Sequence, residues 1–273
     1  MWLQFRFLKQ MLGTGLLVAM TAATAPSQDR TAASEDFSET LLPLRDSLRQ
    51  MTSDELFSKL LEHNRLRDLR LEQYCAVRTY EAKNDKGKLY AQETVMVSYK
   101  APDSKTFQTT SEKGSSIVRS LVFKRLKESE AETAGGQQHR DSSLKPANYT
   151  LHLIGQQDVG PYHCIVAEAL PRRQDKYLFE GKIWIDAQDF AVVRISGHPA
   201  KKLSFWINRA DFVRQYQKIG DFWLPCKDET FVEVKLYGKK VLTIDHRDYT
   251  VNGVKGEYEQ AQDFARHGQV AVR

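Results

Sequence analysis

From Tyr74 onward the chain alternates apolar and polar residues with a period of two, the repeat of a strand with one buried face. Residues 74–82 (YCAVRTYEA) predict a first strand, and Asn84-Asp85-Lys86-Gly87 predicts a turn. Residues 88–100 predict a second strand, with Leu89, Ala91, Val95, Val97 and Tyr99 on one side. Pro102 and Asp103 close it, and residues 105–111 predict a third. Further strands are expected at 148–156, 161–170, 176–186, 190–196, 202–216, 222–236 and 240–251. Turn residues at 158–160, 171–175, 186–189, 197–199, 219–221 and 238–240 separate them.

Two stretches break that rhythm. Thr52-Ser53-Asp54-Glu55 is a capping-box pattern, and the helix it opens carries Leu56, Leu60 and Leu61. Residues 41–51 suggest a shorter helix before it, with Pro43 in its first turn. In residues 115–131, Val118, Val122 and Leu126 recur every fourth position, with Ile117 and Leu121 beside them. That spacing predicts an amphipathic helix, followed by a polar loop at 134–143.

So many successive antiparallel strands cannot stay flat, because twist makes a wide sheet curl. The expected fold is mostly β (α+β): a strongly curved antiparallel sheet forming an incomplete β-barrel, with helices covering the concave face. Alternation assigns an inward set of Val95, Val97, Leu151, Leu153, Ile183, Ile185, Val193, Ile195, Leu203, Phe205, Ile207, Val232, Val234 and Leu236. Val118, Leu121, Val122 and Leu126 form the inner face of a lid helix. The pattern allows two outcomes: these side chains line a cavity for an apolar ligand, or they pack against the helices.

The start of the chain changes the picture of where the protein works. Arg6 and Lys9 precede an uncharged run of apolar and small residues at 11–25, shorter than the about 20 apolar residues a bilayer span needs. This is the pattern of a cleavable signal peptide, with an uncleaved anchor as the alternative. The expected organisation is a signal peptide at 1–25, a disordered leader at 26–37, one domain at 38–255 and a flexible tail at 256–273. The expected location is the periplasm.

Composition narrows the function classes. The chain has 273 residues, 41% hydrophobic and 27% charged, with a formal net charge of +5. Removing Arg6 and Lys9 leaves +3 (5 − 2), too mild to argue for nucleic acid. Cys75, Cys164 and Cys226 allow either a Cys164–Cys226 disulfide or three unpaired thiols. The seven histidines are scattered singly, and no HExxH, HxH or CxxC spacing is present, so no metal site is expected. No GxSxG, GxxxxGK[ST] or GxGxxG occurs either. His163 and Cys164 are adjacent on a strand and point to opposite faces, which argues against a nucleophile–base pair. Asp186 and Asp189 read as a hairpin turn rather than an acid–base pair. No catalytic or cofactor-binding residue is assigned, and the protein is not expected to be an enzyme. The aromatic residues crowded between Tyr177 and Trp223 suit either a ligand site or a sheet core.

Several longer motifs carry a resemblance. GKIWID at 181–186, FAVVRISG at 190–197, SFWI at 204–207, GDFWLP at 220–225 and LTIDHRDYTVNG at 242–253 are its markers. KLYAQETVMVSYKAPDSKTF at 88–107, the helix at 115–131 and NYTLHLIG at 148–155 agree more weakly. Together they make most of residues 53–253 resemble the bacterial outer-membrane lipoprotein-sorting proteins, whose fold is like that of the LolA carrier. The resemblance implies an unclosed barrel, a helical lid, and a cavity for lipid or lipoprotein acyl chains. It also implies a periplasmic monomer with inner- or outer-membrane protein partners. A sensor that detects lipids or mislocalised lipoproteins is the alternative it leaves open. One position departs from the family pattern: Ala101 stands where carriers place a lid-latching arginine before the proline, and Lys100 lies one residue earlier.

Overall fold

The computed structural model describes residues 41–43, 50–133, 143–175, 177–202 and 205–256. The expected signal peptide and leader, the 134–143 loop except Ser143, and the 256–273 tail except Gly256 lie outside these residues, as does Leu203.

Helix α1 (Ser53–Arg70) begins where the sequence places its cap. Thr52 Oγ1 accepts from the Glu55 amide at 3.2 Å, and Glu55 Oε2 accepts from the Thr52 amide at 2.8 Å. Two orphan amides of the first turn are thereby satisfied. Strands β1 (Gln73–Asn84), β2 (Leu89–Lys100) and β3 (Ser104–Gly114) follow as a meander. A helix α2 spans residues 116–133 and contains a π-helical stretch at Arg119–Lys124. A second meander runs through β4 (Tyr149–Val159), β5 (Tyr162–Pro171), β6 (Phe179–Asp186), β7 (Val192–Pro199), β8 (Ile207–Ile219), β9 (Phe222–Val234) and β10 (Gly238–Val251). A short β11 (Val254–Lys255) pairs with β10.

All these strands form one antiparallel sheet in the order β3-β2-β1-β10-β9-β8-β7-β6-β5-β4. The single seam between the two meanders is β1–β10, from Tyr74↔Val251 to Asn84↔Lys240. Among the described residues the two outermost strands, β3 and β4, do not pair with each other, so the barrel is incomplete. Each edge is protected in its own way. β3 (SKTFQTTSEKG) is polar and exposed, which discourages pairing with other chains. β4 is partly covered by Leu42, which exchanges two 2.9 Å backbone hydrogen bonds with Gln156.

The apolar side chains gather in two main clusters. One lies under α1 and joins Leu56, Phe57 and Leu60 to β4–β8. The other lies under α2 and joins Val118, Val122, Phe123 and Leu126 to β1, β2 and β10. The π-helical stretch has a packing consequence. Val118 and Phe123, five residues apart, both become buried on the same side as Val122. Phe123 meets Tyr80 of β1 with ring centroids 5.6 Å apart.

The fold class expected from the sequence stands, with several local corrections. Residues 41–43 are not helical: Leu42 bridges to β4, consistent with Pro43 steering the residue before it toward extended conformations. Residues 197–199 are not a turn but the end of β7, where Gly197 pairs with both Gly181 and Phe212. A side chain at either glycine would collide with the backbone of the neighbouring strand, so the motif glycines serve close strand approach. The strand expected at 202–216 starts only at Ile207. The turn expected at 238–240 lies at 235–237 instead, with Leu236 at φ +67. Cys75, Cys164 and Cys226 are unpaired thiols. β5 and β9 sit four places apart in the sheet, about 19 Å at ordinary strand spacing and well beyond disulfide reach.

Candidate functional site: the helix-covered face of the sheet

One cross-strand row shows how the covered face is built. Reading the registers outward from β4, it runs Leu153, Ala167, Ile183, Ile195, Arg214, Asp228, Ile244, Tyr80 and Glu93. Directly paired residues share a face, so the row is continuous across nine strands. Its β4–β7 end is wholly apolar. Charge enters at β8 and β9 and returns at β2.

α1 closes the apolar end. The Ser53 hydroxyl donates to the Leu151 carbonyl of β4. At its other end Arg67 donates to the carbonyls of Asp189 (2.9 Å) and Phe190 (3.3 Å) in the β6–β7 turn. That turn is the one the paired aspartates predicted. Asp186 Oδ2 accepts from the amides of Gln188 and Asp189 at 3.0 and 2.7 Å. Asp189 in turn accepts from Trp223 Nε1 at 2.8 Å and pairs with Lys218 at 2.7 Å. These carboxylates are structural.

α2 is held to the other half by buried ion pairs. Arg78 of β1 makes a fork to Glu130 of α2, at 2.6 and 3.1 Å, and also donates to Tyr80 at 3.0 Å. Lys105 of β3 reaches the same carboxylate at 2.5 Å. Lys127 of α2 pairs with Glu93 of β2, which also accepts from the Thr109 hydroxyl at 2.8 Å. Beside Arg78, across the seam, His246 shares 3.1 Å with Asp228, and Arg214 approaches the same carboxylate at 3.6 Å. Burial works against the Glu130 carboxylate, yet Arg78 and Lys105 outweigh it and hold its pKa well below the usual range. Asp228 is likewise lowered: burial opposes ionisation, but the His246 hydrogen bond and Arg214 prevail. His246 goes down because of burial and the nearby Arg78 charge, despite Asp228. Arg78 Nε and His246 Nδ1 are buried without a hydrogen-bond partner among the described residues.

The sequence-predicted inward set divides into three groups. Val95 and Val97 are buried with α2, whose Val118, Val122 and Leu126 face them while Leu121 is half-buried. Leu151, Ile183, Ile185, Val193 and Ile195 are buried in the α1 cluster, with Leu153 packed against it. Ile207 and Val232 form a small third cluster with Ala210, flanked by Val234. Phe205 and Leu236 are the corrections. They are 70% and 91% exposed, because one precedes β8 and the other sits in the β9–β10 turn. Alternation cannot hold where the chain is not a strand.

The buried ionic groups were not singled out from the sequence, although a signal was present. Arg78 falls in the inward parity of β1, between Ala76 and Tyr80, and Glu93 lies between Ala91 and Val95. Glu130 extends the Val118, Val122, Leu126 series by one more step of four. A charge at an apolar position predicts a buried partner. Burial pushes the Cys164 and Cys226 thiols each up to about 12, which makes these two poor nucleophiles at neutral pH.

No protein-family model matches this chain, and no curated protein matches it. Solved structures do. A DUF1329 family protein from Desulfovibrio piger is 13% identical over 73% of this chain and 93% of its own, with a TM-score of 0.38. A LolA superfamily protein from Nitrosomonas europaea is 10% identical over 78% and 97%, with a TM-score of 0.36. An outer membrane lipoprotein-sorting protein domain from Vibrio parahaemolyticus is 12% identical over 76% and 97%, again at 0.36. The last two bear names of the family that the sequence motifs resemble.

Proposed function

We propose that the protein is a periplasmic carrier that holds a lipid, or the acyl chains of a lipoprotein, against the helix-covered face. The observation that carries this reading is the division of that face. Two separate apolar clusters, each under its own helix, lie against a sheet whose two outermost strands do not pair with each other among the described residues. Acyl chains gain about 0.8 kcal/mol for each CH₂ removed from water, so displacing a helix in favour of a chain is energetically within reach. The ionic groups beside the seam, with two unpartnered nitrogens, suit the polar end of such a ligand. No covalent step is needed. The carrier works by sheltering chains from water and releasing them.

Protein purified without detergent should yield extractable lipid by mass spectrometry and should bind an apolar fluorescent probe that added lipid displaces. Val97→Phe and Ile195→Phe fill the two clusters separately. If a ligand enters beside one of these residues, its Phe variant loses probe binding while remaining folded. Absence of both extractable lipid and displaceable probe would sink the proposal. In that case the enlarged side chains only overpack a solid core, at about 1–3 kcal/mol each.

A further inference from the structure

We infer that the end of the sheet formed by the start of β8 and the β9–β10 turn is a docking surface for an anionic lipid bilayer. The inference does not depend on a ligand inside the protein. Phe205, Trp206 and Leu236 are 70%, 45% and 91% exposed at this end. They form one patch. The Phe205 and Trp206 rings meet edge to face at 5.6 Å, and the Trp206 carbonyl accepts from the Lys235 amide at 2.9 Å. Leu236 is the next residue, at the tip of the turn.

Exposing three large apolar side chains together is unfavourable in water and marks an interaction surface. The charge around them selects the partner. Lys201 and Lys202, a few residues before Phe205 in the chain, and Lys239, three residues after Leu236, are exposed, and Lys235 Nζ lies 3.6 Å from the centroid of the Phe205 ring. Glu233, on the neighbouring stretch of β9, accepts from Asn208 at 3.3 Å. Asp211 is paired with Arg209 at 2.5 Å, so the four lysines outnumber the remaining carboxylate and make this apolar tip net positive. A bilayer with acidic headgroups supplies both complements: negative charge for the lysines and an interfacial layer for Trp206, Phe205 and Leu236.

The test follows Trp206 itself, so that binding through any other part of the chain does not register. Emission of the full-length protein minus that of its Trp206→Phe variant isolates this indole. With vesicles of phosphatidylglycerol and phosphatidylcholine carrying brominated acyl chains, the difference signal should shift to the blue and be quenched. Phosphatidylcholine vesicles alone should produce much weaker quenching. A Lys201→Glu, Lys202→Glu, Lys239→Glu variant should weaken vesicle affinity at least about tenfold. Leu236→Ser should weaken it too, with interior probe binding unchanged. An unquenched Trp206 on anionic vesicles overturns the inference, as does equal quenching on neutral ones. A dimer that Leu236→Ser converts to monomer, without vesicle quenching, also overturns it and makes the patch a contact between copies of this chain.

Discussion

At the scale of single residues, the decisive feature is charge placed where the pattern calls for apolar side chains. Glu130 is buried between two cations, Arg78 and Lys105. Removing one member of such a group leaves the others charged and uncompensated, which costs about 3–5 kcal/mol. Glu130→Gln should therefore lower the unfolding free energy by that order, measured by urea denaturation at neutral pH. The pH dependence has a definite sign. The folded carboxyl titrates well below its ordinary value of 4.5, so in acid the unfolded chain takes up this proton first. Its stabilisation is complete above that ordinary value and is lost as pH falls through the folded one. His246, depressed from 6.5, acts in the same direction, because the unfolded chain is protonated there before the folded one. Stability should fall steadily on acidification, and Glu130→Gln should flatten the curve below pH 4.5. An unchanged slope would mean that the ion group is not what ties α2 to the sheet. These residues stood in the sequence at inward parity, but which charges would meet depended on strands far apart in the chain.

At the scale of elements, periodicity was a good guide inside strands and a poor one at their ends. β1, β2, β5 and β9 lie within a few residues of their expected positions. The error that mattered came from reading SFWI at 204–207 as strand. Its aromatic residues have high β-propensity, but the ladder begins only at Ile207, opposite Val234. The same end of the sheet misled at Leu236, since Gly238 looks like a turn residue and is instead the first residue of β10. α2 was legible as an amphipathic helix, although its π-helical stretch was not. That stretch brings Phe123 onto Tyr80, so Phe123→Ala should cost about 3–5 kcal/mol. If α2 can open as a unit, hydrogen exchange in this variant should accelerate across residues 116–133 and leave β5–β7 unchanged. A uniform rise over the whole sheet would show that α2 is part of one cooperative core and cannot serve as a lid.

At the scale of the whole molecule, one seam turns two meanders into a half-barrel. Every other neighbouring pair on the sheet path is consecutive in the chain. β1–β10 alone joins residues 156 to 177 positions apart, from 84 and 240 to 74 and 251. No local pattern in either strand announces this partner, which is why the strand list was legible and the order was not. The seam also sets Arg78 beside His246 and so brings the ionic groups of the two meanders together. Contacts so distant in sequence form late and slow folding. A chain ending after Tyr237 would lose β10 and leave both β1 and β9 with an unpaired edge. It keeps α1, α2 and both meanders up to β9, so local propensity alone would preserve most of the secondary structure. The expected outcome is the loss of a cooperative urea transition and of slow amide exchange in β1, with residual β signal in circular dichroism. If the shortened chain still unfolds in one sharp transition with β1 protected, the covered face is assembled within each meander separately, and the seam does not create the site.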